Sequence, residues 1–230
     1  MNRRTAVDFD PEHFARAAAH GRKLSPTDAF REAYRTNLWG GGESPSGPGS
    51  SLDQTAGLRE ALPELCRRYG VRTVLDLPCG DGHWMAWVAL PGIRYLGADL
   101  LPEVVARASA RNPARKFVSL DLTTNPLPPA ELLLCRDCLV HLSFADIERA
   151  VRNIQRSGVP YLLTTTFPSE AANQDITTGD WRPLNLERAP FGWPPPLTTL
   201  AEGCTEQGGL FGDKSLGLWR VADLPSRGTP

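Results

Sequence analysis

Between residues 73 and 166 the chain alternates short apolar, β-branched runs with helical segments, and no other feature limits its fold as strongly. Strands are expected over Thr73–Leu77, Arg94–Ala98, Lys116–Leu120, Glu131–Cys135 and Pro160–Thr166, and helices over Trp84–Ala89, Glu103–Arg111 and Phe144–Arg156. Strands joined by helical crossovers lie parallel, because each crossover carries the chain back to the same end of the sheet. Right-handed crossovers then place helices on both faces, giving a doubly wound sandwich. Two further strands, Leu197–Cys204 and Leu216–Ala222, are joined by a glycine-rich connection that suits an antiparallel pair. The expected fold is α/β, a mostly parallel seven-stranded sheet closed by that pair.

The flanks read differently. Pro11–His20 and Pro26–Thr36 are helix candidates, the second with Ser25 as N-cap and Pro26 at its first position. Residues 39–51, WGGGESPSGPGSS, have no periodicity: either a flexible linker or a loop folded over a ligand, and Trp39 at its start favours the loop. Ser51-Leu-Asp-Gln54 fits a capping box opening a helix that runs to Tyr69, with Pro63 kinking or splitting it and Gly70 ending it. Residues 167–196 are rich in proline and include PFGWPPP, which excludes a long helix there. The expected organisation is N-terminal helices and an active-site loop over 1–51, the sheet domain over 52–224, and a flexible tail over 225–230.

Composition removes several classes. Lys plus Arg is 25 against 26 for Asp plus Glu, a net charge of -1, which argues against broad binding to a phosphate backbone, so no nucleic-acid partner is expected. No apolar run reaches the length of a membrane span, and MNRRTAVDFDPEH has no apolar stretch of the secretory kind, so the expected location is the cytoplasm, away from membranes. The 5 cysteines are scattered and odd in number, which suits reduced thiols. Cys135 and Cys138 form a C-x-x-C inside the apolar run LLLCRDCLV, and His13, His20, His83 and His141 lack the spacing to complete a zinc site. Two buried thiols and no metal are the expectation.

The run TVLDLPCGDGHW, residues 73–84, carries the strongest chemical signal. A strand ends at Asp76 and enters a turn with Gly80 and Gly82, which allow positive φ and close approach of backbone N–H groups to a ligand. In an open parallel sheet this turn lies at the carboxyl edge, where ligands bind. The second strand ends at Asp99, placed to accept both hydroxyls of a ribose, and the third at Asp121, near where an adenine ring would lie. Dinucleotide oxidoreductases use the same edge, but their third glycine is missing from G-D-G-H-W-M. Asp76 and Asp81 would repel a pyrophosphate and attract a sulfonium or amino group, so a cationic cofactor is expected.

At these residues the chain resembles the class I S-adenosylmethionine-dependent methyltransferases, from about residue 38 to 222. Its D-x-P-C-G-D-G corresponds to the family's first glycine motif, with Pro78 in place of the first glycine. More narrowly it resembles a bacterial group carrying SGPGS (46–50), D-x-P-C-G-D-x-x-W-M (76–85), RDxLVHLS (136–143) and WRxxNL with a following PF (181–186 and 190–191). The resemblance implies S-adenosyl-L-methionine as cofactor. It implies that Gly80 and Gly82 approach the methionine moiety with Pro78, Cys79 and Trp84 around them, and that Asp99 with Leu100 holds the ribose. By the same resemblance Asp121 and Leu122 would contact adenine, Asp76 would act through the loop or the amino group, and Trp39 and Arg136 would complete the cofactor site.

Methyl transfer is an in-line displacement whose acceptor must shed a proton, which calls for a base. RDCLVHLS offers Asp137 and His141, expected to face the cleft together as catalytic residues; helix capping or packing is the alternative for His141. Mg²⁺ assistance lacks acids after the fifth strand, though Asn173 and Asp175 follow later, and the (N/D)-P-P-(Y/F) motif of base-modifying enzymes is absent. The acceptor pocket is expected to draw on Ser46 before the sheet and on Trp181, Arg182, Asn185, Phe191 and Trp193 after the fifth strand, since small-molecule sites combine aromatic walls with a few polar groups. The expected acceptor is a small polar metabolite or natural-product intermediate, methylated on oxygen or nitrogen by a monomer or homodimer. A non-catalytic sensor or partner subunit that binds the same cofactor is the alternative.

Overall fold

The structure, a computed structural model, describes residues 10–225, so of the tail expected over 225–230 all but Pro225 lies outside the described residues. The strands are β1 (Thr73–Asp76), β2 (Arg94–Asp99), β3 (Lys116–Ser119), β4 (Leu132–Cys135), β5 (Tyr161–Thr166), β6 (Thr198–Ala201) and β7 (Ser215–Arg220). They form one sheet in the order β3-β2-β1-β4-β5-β7-β6. Strands β1 to β5 pair in parallel, whereas β7 runs antiparallel to both β5 and β6. The expected α/β architecture and its closing antiparallel pair are therefore present. Among the described residues no helix is long and apolar enough to cross a membrane.

The helices are α1 (His13–Ala19), α2 (Pro26–Thr36), α3 (Ala56–Arg68), α4 (Pro102–Arg111) and α5 (Phe144–Ser157). Side chains alternate across the central strands and so build two cores. Leu75, Leu133 and Leu162 pack against Ile147, Ala150 and Ile154 of α5, while Val74, Leu132, Leu134 and Leu163 pack with Leu58, Leu62, Leu65 and Cys66 of α3. Ser25 and Ser143 cap α2 and α5 by accepting the N–H of Asp28 and of Asp146, each at 3.2 Å, which leaves fewer orphan donors at the helix starts.

Three local expectations change. Ser51 Oγ does accept the Gln54 N–H at 3.3 Å, but the chain makes one more turn before α3 begins at Ala56. Pro63 sits inside α3 without splitting it, because burial of Leu58, Leu62, Leu65 and Cys66 offsets the backbone bond that proline removes, about 3 kcal/mol. The helix expected over 84–89 is a single 3₁₀ turn, Met85–Trp87. The Arg115 guanidinium donates to the carbonyls of Met85 and Val88 at 2.6 Å each, taking acceptors that a longer helix would need.

Candidate functional site

Strand order reverses between β1 and β4, and the crevice beyond their carboxyl ends is the topological switch point where open α/β sheets bind ligands. A cavity of about 340 Å³ opens there. Asp76, Pro78, Cys79, Gly80 and Trp84 line it from the β1 turn, Asp99 and Leu100 from the end of β2, and Asp121 and Leu122 from the end of β3. Arg136 closes it beyond β4, and Trp39 and α2, through Phe30 and Tyr34, cover it from the N-terminal side.

The β1 turn has the shape its glycines were expected to allow. Gly80 has φ 55°, and a Cβ there would come within 2.5 Å of Ser46 Oγ, so the loop over residues 44–46 lies directly on the glycine. Gly82 does not join it. Its φ is 68°, but it packs under α4, where Asn112 Nδ2 donates to its carbonyl at 3.2 Å, and the missing side chain makes room for Asn112 and Ala108. Asp81 also turns away from the cavity: it accepts from Ser44 Oγ at 2.8 Å and pairs with Arg111 at 3.0 Å and Arg107 at 3.6 Å. Only Asp76 of the two acids is thus placed to repel a phosphate.

Asp76 and Asp99 are both buried. Burial pushes the Asp76 carboxyl up to about 7, against the hydroxyl of Tyr95 that donates to it at 2.6 Å. Burial likewise raises Asp99 to about 6, although it accepts the N–H groups of Leu101 at 3.1 Å and Gly80 at 3.2 Å. Asp121 is fixed by the N–H and hydroxyl of Thr123, both at 2.7 Å.

A second cavity, about 380 Å³, adjoins the first, and Trp39, Ser46, Asp137 and His141 line both. His141 sits on the 3₁₀ turn Leu139–His141, with its ring against Trp39 at 5.1 Å. Its Nδ1 lies 2.9 Å from the carbonyl of Asp180, which can only accept, so Nδ1 carries the proton and Nε2 the lone pair. Burial lowers the imidazole to about 4, leaving it neutral at physiological pH.

Asp137 does not fit a base. It holds φ 51° in the left-handed region, tied by its N–H to Thr165 Oγ1 at 2.8 Å. Burial favours its protonated form, but Lys214 Nζ at 2.7 Å and the Arg136 guanidinium at 3.2 Å outweigh burial and hold the carboxyl well below its usual range. Arg136 is itself doubly paired with Glu202, at 3.2 and 2.5 Å, and donates to the Gly49 carbonyl at 2.8 Å. Sequence reasoning missed Lys214, Glu202, Glu206, Phe167 and Phe211. The signal was weak: a lone lysine directly before the apolar run SLGLW, far along the chain from its partners.

Of the expected acceptor residues, Ser46 and Trp181 line the second cavity. The other four do not. Arg182 is buried and donates to the carbonyls of Leu139 at 2.9 Å, Leu142 at 2.7 Å and Gln174 at 3.2 Å, bracing the turn that bears His141. Asn185 binds the carbonyls of Pro168 and Glu170 at 3.0 Å each, Phe191 packs on Phe144, and Trp193 on Trp219. Each spends its polar or apolar surface on the loop or on the elements the loop packs against, and none of the four lines the second cavity. Asn173 and Asp175 do the same, at the Asn185 carbonyl and the N–H of Phe144. Cys135 and Cys138 are free thiols, the first buried and the second half-buried.

Comparison with known proteins agrees with this geometry. A methyltransferase-domain family matches residues 74–160. The malonyl-[acyl-carrier protein] O-methyltransferase of Serratia marcescens is 27% identical over 167 residues, which are 67% of this chain and 65% of that protein, so the match spans less than two thirds of the relative's length. The methyltransferase domain of bacterial CtHen1-CN superposes with a TM-score of 0.53 over 74% of this chain and 100% of that domain, at 11% identity, a likeness of fold. Magnesium protoporphyrin IX methyltransferase from Synechocystis PCC 6803, with bound S-adenosylhomocysteine, covers 52% of this chain and 60% of its own at 17% identity and a TM-score of 0.44. The first cavity suits S-adenosylmethionine: two buried acids that form no ion pair among the described residues, apt for an ammonium and a diol, apolar walls at Leu100 and Leu122, and a glycine that a side chain would push into Ser46. Residues 74–160 thus match a methyltransferase-domain family, and the sheet that carries them has a Rossmann-like fold.

Proposed function

We propose that this protein transfers a methyl group to an oxygen or nitrogen of a small polar acceptor held in the second cavity, with His141 taking the acceptor's proton. The observation that carries the proposal is the shared wall: Trp39, Ser46, Asp137 and His141 border both cavities, so ligands in the two would meet beside the imidazole. In the first cavity Asp99 would accept the ribose hydroxyls, Asp121 and Leu122 would flank adenine, and Asp76 would receive the ammonium group beside Gly80. Once bound, S-adenosylmethionine supplies a methyl group made electrophilic by its sulfonium.

The chain's own residues do the rest. Trp39 and the 40–51 loop cover the junction and exclude water. The Asp180 carbonyl fixes the tautomer that leaves Nε2 free to accept. A base that stays unprotonated down to about pH 4 is weak, yet it suffices for a hydroxyl whose proton turns acidic as the oxygen bonds to carbon, which favours oxygen as the acceptor atom. The curated relative named as an O-methyltransferase supports the same choice. Asp137, ionised and pinned by Lys214, acts as a positioning residue on the wall between the cavities.

The test is transfer of a labelled methyl group from the cofactor into the small-molecule fraction of a cell extract. His141→Ala should lower the rate about 10²- to 10⁴-fold while S-adenosylhomocysteine affinity stays within twofold. Unchanged turnover with intact affinity removes the assignment of the base. Labelling of nothing at all, with the cofactor still bound, would make the chain a sensor or a partner subunit.

A further inference from the structure

The charges around the second cavity do not cancel. Arg136 is taken up by Glu202, and Lys214 by Asp137 with Glu202 at 3.5 Å. Glu206, half-buried on the same wall, is the acid left over. The Cys204 thiol reaches it at 3.5 Å, and among the described residues no cation stands within ion-pair distance of it. These groups converge on bare backbone: a Cβ on Gly49 would lie 3.3 Å from Glu206 Oε2, 3.3 Å from Asp137 Oδ2 and 3.2 Å from Lys214 Nζ. Any side chain at that position would cover them, and the glycine leaves them open to the cavity.

Opposite these groups the lining includes three aromatic rings. Phe167, Trp181 and Phe211 pack mutually edge-to-face, with centroids 6.1, 5.9 and 4.9 Å apart. Ring faces carry negative quadrupole charge and attract cations, most strongly where water is excluded. An anionic acceptor would instead meet two carboxylates, with the one lysine already engaged. Building on the reading of this cavity as the acceptor site, we propose that the acceptor carries an organic ammonium group, seated between Glu206 and the three-ring wall, as its specificity handle.

The proposal is tested by calorimetric titration of the full chain, with and without S-adenosylhomocysteine, using choline and its neutral isostere 3,3-dimethylbutan-1-ol. The two share size and shape and differ in charge. Choline should bind about tenfold more tightly, the size of one desolvated cation–π contact. Glu206→Gln should erase most of that ratio and leave S-adenosylhomocysteine affinity unchanged. Equal or tighter binding of the neutral alcohol, or no binding of choline at millimolar concentration, overturns the proposal whatever the variant does. Failure of S-adenosylhomocysteine to bind would strike the methyltransferase reading instead, and the choline comparison on the free chain would still be read.

Discussion

The two cavities handle buried acids in opposite ways. Asp76 and Asp99 sit in the first with backbone N–H and phenol donors but no ion pair among the described residues, and burial raises both carboxyls. Asp137 sits between the cavities with Lys214 and Arg136 against it, and its carboxyl is held down. A buried acid without a cation carries a desolvation cost that a cationic or hydroxyl-rich ligand relieves, whereas a paired one is already satisfied and serves architecture. The first cavity is thus built to be completed by a cationic, hydroxyl-bearing ligand, and the Asp137 wall to stay as it is.

The contrast can be broken most sharply at Asp99. Asp99→Ala removes a charged acceptor and should weaken S-adenosylhomocysteine binding about 30- to 100-fold in a calorimetric titration, equivalent to about 2–3 kcal/mol. Wild-type affinity would dismiss the ribose role. Gly80→Ala should come next, because φ 55° costs an L-residue about 1–2 kcal/mol and the new methyl meets Ser46 Oγ. Its melting temperature should fall and cofactor affinity with it; a variant with neither change would mean that the 44–46 loop moves aside freely.

The smallest effect concerns pH. Asp76 and Asp99 titrate near 7 and 6 in the folded chain against about 4 when unfolded, so the native state binds more protons between about pH 4 and 7 and loses stability as pH rises through that window. His141, lowered to about 4, works the other way and costs stability as pH falls from about 6.5. Asp76→Asn removes the most strongly raised acid. Relative to wild type, its ligand-free stability should therefore improve on going from pH 4 to pH 7. A difference independent of pH would show that Asp76 is not raised.

Much of the first cavity was legible in the chain because its residues follow one another at strand ends. Asp76 and Asp99 each close a parallel strand, Asp121 follows the end of β3 by two residues, and parallel strands put their carboxyl ends on one edge. Gly82 shows the limit of that reasoning. Its positive φ was foreseeable, but whether the freed space faces a ligand or Asn112 depends on where α4 packs. Four of the six expected acceptor residues lie away from the second cavity, two of them for a related cause. Arg182 and Asn185 have the chemistry of ligand contacts, yet the 3₁₀ turn at Leu139–His141, its flank at Leu142 and the irregular loop over 167–196 leave backbone carbonyls without a ladder, and buried carbonyls must find donors. These two side chains supply them.

The doubly wound sheet and the glycine turn with its row of acids can be read from the chain, because hydrophobic periodicity and strand-end position are local properties that need no knowledge of contacts. The second cavity exists only in the folded molecule. Lys214, Glu202, Glu206 and Phe211 meet Asp137 and His141 only once β6 and β7 close the sheet, and which acids end up paired or unpaired depends on desolvation among groups that are distant along the chain.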